Sequence, residues 1–152
     1  AWRPGREWVY PLDPTPRAHG YGAPCQDGDN GLSDMLAVDD HQFLVLERAC
    51  LVGAAGQPAL NPVRIYLADT DGADDVSDRE ALGARPVRLV NKHLLLDLMT
   101  LRSKVPPALR TLSNYEGLAE GPPSPGAAST LLLVSDDNFR ASQTLSFLWL
   151  AR

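Results

Sequence analysis

Hydrophobic residues fall in short blocks, separated by Pro, Gly and acidic residues. Val63, Ile65 and Leu67 alternate with Arg64, Tyr66 and Ala68, the period of two expected of a strand over residues 63–68. Phe43-Leu44-Val45-Leu46 is a continuous apolar run, expected where a strand is buried on both faces. Residues 32–38 and 43–49 predict a hairpin joined by the polar turn Asp39-Asp40-His41-Gln42. Residues 6–12, with Trp8, Val9 and Tyr10, predict a short strand that Pro11, Pro14 and Pro16 terminate. Residues 13–30 and 53–62 read as loops, and the acidic stretch 69–78 as a solvated one. Residues 87–98 form a fourth apolar segment, expected as a strand. Its Leu94-Leu95-Leu96 and Leu98-Met99 could instead open a helical turn, which Pro106-Pro107 keeps short. Strands are then expected at 115–120, 131–135 and 144–150, with a Pro/Gly/Ser turn at 121–129.

Composition narrows this picture. A chain of 152 residues is one domain or part of one. Its 13 Pro and 12 Gly leave little room for long helices. A hydrophobic share of 44% with 22% charged residues is that of a chain that folds. The net charge of -5 weakens a nucleic-acid reading, which wants a basic footprint. No apolar run reaches the roughly 18 residues of a membrane span. Cys25 and Cys50 exclude a dense disulfide scaffold and a four-cysteine zinc site. They could form one bridge in an oxidising compartment, which sequence does not settle. The chain opens on Ala1 without the basic-then-apolar pattern of a secretory signal, so a removed leader or larger N-terminal region is expected.

Two stretches echo each other. Asn30-Gly31-Leu32-Ser33, a turn, and Leu44-Val45-Leu46-Glu47-Arg48 are followed later by Tyr115-Glu116-Gly117-Leu118-Ala119, a turn, and Leu132-Leu133-Val134-Ser135-Asp136-Asp137. Gly31 and Gly117 lie 86 residues apart, beyond the roughly 40–50 of a common propeller blade. Long loops at 53–62, 70–86 and 99–113 would enlarge the first unit. The expected fold is all-β: a partial β-propeller of about two four-stranded antiparallel blades. A β-sandwich of about eight strands is the alternative. Two blades are fewer than the 4–8 of a closed propeller, and their edges and apolar faces would need cover. The remaining blades are therefore expected from a second polypeptide or an oligomer, or to have been lost.

The hairpin geometry also groups polar residues. The start of one strand and the end of its antiparallel neighbour lie together. Asn30, Ser33, Asp34, Glu47 and Arg48 then share one end of the first hairpin. Asn114, Glu116, Asp136, Asp137 and Asn138 share one end of the second. If both hairpins are innermost, five carboxylates, three Asn and one Arg converge. Oxygen-rich clusters suit Ca²⁺, with Asp34, Glu47, Glu116, Asp136 and Asn138 as expected ligands. Arg48 could grip an anion through its bidentate fork. Against this, strand-end Asp and Asn often only tie down turns, and Glu47–Arg48 could be a structural pair. Asp69-Thr70-Asp71-Gly72-Ala73-Asp74-Asp75 fails the EF-hand spacing.

Several classes drop out. There is no Gly-x-Ser-x-Gly elbow, no Arg-His-Gly string, no phosphate-binding Gly-rich loop and no His-Glu-x-x-His helix. His19, His41 and His93 are scattered, and neither cysteine has an obvious His partner.

Asn114-Tyr115-Glu116-Gly117-Leu118 and Leu132-Leu133-Val134-Ser135-Asp136-Asp137-Asn138-Phe139 occur here together with Leu44-Val45-Leu46-Glu47-Arg48 and Trp8-Val9-Tyr10-Pro11-Leu12-Asp13. In these strings, and in Gly72-Ala73-Asp74-Asp75-Val76-Ser77 and Lys92-His93-Leu94-Leu95-Leu96-Asp97-Leu98, the chain resembles the phytase-like family, "esterase-like activity of phytase". The likeness runs from about residue 8 to the C-terminus and corresponds to the later part of a longer family domain. The loop at 122–130 departs from it, with small residues in place of a basic or polar turn. The resemblance implies an exported, bacterial, propeller-like protein, periplasmic or extracellular. It also implies metal-assisted hydrolysis of phosphate or carboxylic esters, with Glu116, Asp136, Asp137 and Arg48 at the reacting centre. The alternative is a non-catalytic propeller serving as an interaction module or as a subunit of a larger assembly.

Overall fold

The computed structural model describes residues 3–26, 29–83, 85–139, 141 and 143–152. Residues 27 and 28, inside the loop expected at 13–30, lie outside the described residues. The fold is all-β, with nine strands in three antiparallel sheets among the described residues. β1 (Tyr21–Pro24) pairs with β4 (Leu51–Gly53) in a small ribbon. β2 (Asn30–Ala37), β3 (Gln42–Ala49), β5 (Val63–Asp69) and β6 (Asn91–Asp97) form a four-stranded meander. β7 (Asn114–Glu120), β8 (Thr130–Asp136) and β9 (Phe147–Ala151) form a three-stranded one. A 3-10 helix, Leu98–Lys104, follows β6, and the Asp97 carboxylate accepts from the Met99 N–H at its start.

The expected hairpins form because alternation and turn chemistry agree. The Asp39 carboxylate accepts from the His41 and Gln42 amides, closing the β2–β3 turn. β3 lies between β2 and β5, which accounts for its continuous apolar run. Its two faces meet different neighbours. Leu46, with Val63 and Ile65 of β5, packs against Tyr115, Leu118 and Leu133 of the second meander and against Leu98 and Leu112. Val45, with Ala68 and Val90, packs against Trp8 and Tyr10 of the N-terminal segment, beside Phe43. The two meanders thus share one core. β2 lies against β7 without a backbone ladder, and the Leu118 N–H donates to the Asp34 carboxylate across that seam at 2.7 Å.

Four expectations need correction. Residues 6–12 are not a strand; they cross the sheet as an irregular strap, because prolines punctuate the segment and it joins no ladder. Val9 offers its carbonyl to the Val90 amide, and Glu7 offers its own to Val76. The loop expected at 13–30 conceals β1, which pairs with β4 just before the second loop; strands this short carry no alternation long enough to read. The acidic stretch is not wholly solvated, since Thr70 and Val76 within it are buried. Among the described residues the second meander has three strands rather than the four expected of a blade.

Each meander carries a bulge in its first hairpin. The β2–β3 register shifts between Leu32 and Asp34, leaving Ser33 unpaired. The β7–β8 register shifts between Tyr115 and Gly117, leaving Glu116 unpaired. The structural repeat therefore matches Ser33 to Glu116, three positions out of step with the Gly31–Gly117 echo. Gly117 lets the strands approach beside its bulge: a Cβ there would meet Val134 Cγ1 at 2.5 Å and force that side chain to move.

Candidate functional site

A bulge swings a side chain out of the ladder, and both bulged residues here line the same cleft. Asp29, Asn30, Gly31, Leu32, Ser33, Arg48 and Glu116 enclose about 320 Å³ at the seam between the meanders. Gly31 lies opposite Arg48 in the β2–β3 ladder. With no side chain it leaves open space in the cleft, since nothing lies within 4 Å of where its Cβ would be.

Arg48 donates to Glu116 Oε1 at 3.0 Å, and Asn114 Nδ2 donates to the same oxygen at 2.8 Å. The second Glu116 oxygen takes part in neither bond. Among the described residues, the buried Nε of Arg48 and the buried Oδ1 atoms of Asn30 and Asn114 have no hydrogen-bond partner. Such atoms cost free energy until something pairs with them. Asn30 is positioned from the strap: its Nδ2 donates to the Asp13 carbonyl at 2.7 Å. Behind the cleft, Cys25 and Cys50 are joined by a disulfide. The Cys50 N–H donates to the Asp29 carbonyl at 2.9 Å, so the bridge holds the cleft wall to the end of β3.

Glu47 points the other way. Strand alternation puts it with Val45 on the strap side, where it is 1% exposed. It accepts from Lys92 Nζ at 2.5 Å, from the Tyr10 hydroxyl at 2.8 Å and from Arg64 at 3.4 Å. Asp13 completes the group, accepting from the Tyr66 hydroxyl at 2.6 Å and pairing with Lys92 at 2.9 Å. The Lys92 ammonium lies 4.7 Å from the Tyr10 ring centre and 4.2 Å from that of Tyr66. Burial, reinforced by the hydrogen bond to Glu47, pushes the Tyr10 phenol far above its ordinary range. Burial raises that of Tyr66 likewise, with its bond to Asp13 adding to the shift. The Tyr66 hydroxyl, and then Lys92, hold the Asp13 carboxyl below the usual range. Tyr10, Asp13, Arg64, Tyr66 and Lys92 were not singled out from sequence; Arg64 and Tyr66 on one face of β5 were the available signal.

The expected convergence is thus only partly realised. Arg48, Glu116, Asn30, Ser33 and Asn114 come together, while Glu47 sits across the sheet in a separate cluster. Asp34 spends a carboxylate oxygen on the Leu118 amide. Asp136 does pair with Asn114 in the β7–β8 register. Its carboxylate, however, accepts from the Asn138 amide, and that of Asp137 from the Phe139 amide. The Asn138 side chain donates to Gln143. These three residues tie down a turn.

A Ca²⁺ ion needs six to eight oxygens around one point. Asp34, Glu47, Glu116, Asp136 and Asn138 do not supply them, because Asp34, Glu47 and Glu116 lie in separate hydrogen-bonded settings and Asp136 and Asn138 are spent on a local turn. Among the described residues, the three His, Cys or acidic groups close enough to share an ion are Cys25, Asp29 and Cys50. The two sulfurs of that set are joined to each other. The residues present do not fit the expected cation.

Antiparallel meanders with a polar, bulge-lined cleft at their seam define an all-β protein with a candidate small-ligand site there. No helix is long and apolar enough to cross a membrane among the described residues. A family model described as "Phytase-like: Esterase-like activity of phytase" matches residues 1–139, and the chain belongs to that family. No curated protein and no solved structure gives a significant match.

Proposed function

We propose that the chain is a hydrolase of phosphate or carboxylic esters and that the cleft is its reacting centre. Membership of the phytase-like family supports a hydrolase-like function. The observation that carries the assignment to the cleft is Glu116, clamped through one oxygen by Arg48 and Asn114 with its other oxygen outside both bonds. That second oxygen takes a proton from an attacking water. Arg48, with its unpaired Nε, stabilises the charge that develops on the ester oxygen. The leaving alkoxide then recovers the proton from Glu116. The route uses the chain's own side chains. The Cys25–Cys50 disulfide supports an exported location, since such bridges persist in oxidising compartments. The test is turnover of p-nitrophenyl acetate and p-nitrophenyl phosphate by the wild type and Glu116→Gln. The variant should stay folded by circular dichroism and lose at least about 100-fold in turnover, the ordinary scale of general-base catalysis. A folded wild type that turns over neither ester refutes the proposal.

A second reading is an interaction module that joins a further polypeptide. Its support is the outer strands: β6 exposes Leu94 and Leu95, and β9 exposes Phe147 and Trp149. Native mass spectrometry separates a lone chain from an assembly.

A further inference from the structure

We infer that the cleft selects uncharged, hydroxyl-bearing carboxylic esters over phosphate esters. This inference rests on the hydrolase reading above and names its substrate class. The first support is charge. The described lining holds one cation, Arg48, against two carboxylates, Asp29 and Glu116. Arg48 is already matched by Glu116 at 3.0 Å, so the remaining formal charge is that of Asp29. A phosphate dianion entering would meet that carboxylate and compete with Glu116 for the guanidinium. A neutral ester meets neither penalty, and like charges in a partly buried site act against binding over several ångströms.

The second support is hydrogen bonding. A site that recognised phosphate would present several free donors. Among the described lining residues, the buried atoms without a partner are one acceptor, Asn30 Oδ1, and one donor, Arg48 Nε. Asn30 cannot simply flip to offer its amide hydrogens, because its Nδ2 is held by the Asp13 carbonyl. The Ser33 hydroxyl, which could donate to a ligand, spends its hydrogen on the Leu46 carbonyl at 3.3 Å. The unpartnered Asn30 Oδ1 calls for a hydroxyl donor on the ligand. The unpaired donor among the described lining residues, Arg48 Nε, is what a single polarised carbonyl oxygen needs. In the reaction, water adds to the acyl carbon and gives its proton to Glu116. The tetrahedral oxyanion collapses, the carbon–oxygen bond to the alcohol breaks, and the leaving oxygen takes the proton. One carboxylic acid and one alcohol result.

The test compares glycerol monoacetate with glycerol phosphate, which share an alcohol and differ in the acyl group and its charge. Turnover and thermal-shift binding are measured for the wild type and Asp29→Asn. The expected result is a higher kcat/KM for the acetate. Asp29→Asn should shift the ratio toward the phosphate by roughly threefold or more, the scale of one partly screened charge. A preference for the phosphate overturns the inference and leaves the hydrolase reading standing. If neither ester turns over, the hydrolase reading falls and binding decides the ligand class. Stabilisation by the acetate alone supports the class, whereas stabilisation by the phosphate alone, or by neither, overturns it.

Discussion

Glu47 and Arg48 are neighbours in the chain and face opposite environments. On the strap side, Glu47 is saturated: a lysine, an arginine and a tyrosine hydroxyl all donate to it, and water is excluded. On the seam side, Arg48 meets a single carboxylate in an open cleft and keeps an unpaired donor. The first arrangement can only hold structure together, because it leaves nothing free for a ligand. The second is under-satisfied, which is how a binding site differs from a clasp. A buried ionic cluster is not strong evidence for net stability, but removing one member is costly because the others remain charged and unpaired.

That contrast can be broken at several points. The largest effect is expected from Glu47→Ala, which strands Lys92 and Arg64 under the strap. Urea unfolding should show a loss of about 3–5 kcal/mol, and a loss below that of Glu116→Ala would mean the clasp is not the structural side. Opening the Cys25–Cys50 bridge, 25 residues apart, with Cys25→Ser/Cys50→Ser should cost about 3 kcal/mol. It should also weaken ligand binding at the cleft while the Glu47 cluster persists, readable as retained protection of the Val90 amide in hydrogen exchange.

Asp13 sharpens the comparison through pH. Its carboxyl is held below the ordinary value of 3.8 by the Tyr66 hydroxyl and Lys92. A lowered folded value means the stabilisation is present above pH 3.8 and is lost as pH falls through the lowered value. Wild type should therefore lose more stability between about pH 5 and pH 2 than Asp13→Asn does, by roughly 1 kcal/mol given the partial exposure of this carboxylate. Identical acid limbs would remove Asp13 from the clasp. The smallest stability effect is expected for Glu116→Ala, at about 0.5 kcal/mol, because both partners of its ion pair are partly exposed. A multi-kcal loss there would make the seam pair structural and undercut its use in hydrolysis.

Much of the fold was legible before any coordinates. The alternation in β5, the apolar run of β3 and the Asp39 turn located the first hairpin, and the strings around Glu116 and Asp136 located the second. The strap was misread as a strand because Trp8, Val9 and Tyr10 favour extended backbone, and propensity does not say whether a ladder partner exists. Arg48 and Glu116 were correctly grouped at one end. Glu47 was grouped with them because strand ends were counted without asking which face each side chain takes. Asp136, Asp137 and Asn138 reached the same end, yet their side chains are spent on local turns.

The sequence by itself determined the all-β class, the two hairpins, the family and the polar residue types at the strand ends. Those follow from local periodicity and short strings, which act over a few residues. Tertiary structure alone decided which face of β3 meets the strap and which meets the second meander, that Arg48 finds Glu116 68 residues away, and that Cys25 joins Cys50. It also decided that bulges at Ser33 and Glu116 open one cleft. A period of two states that neighbours face apart; only packing states what each of them faces.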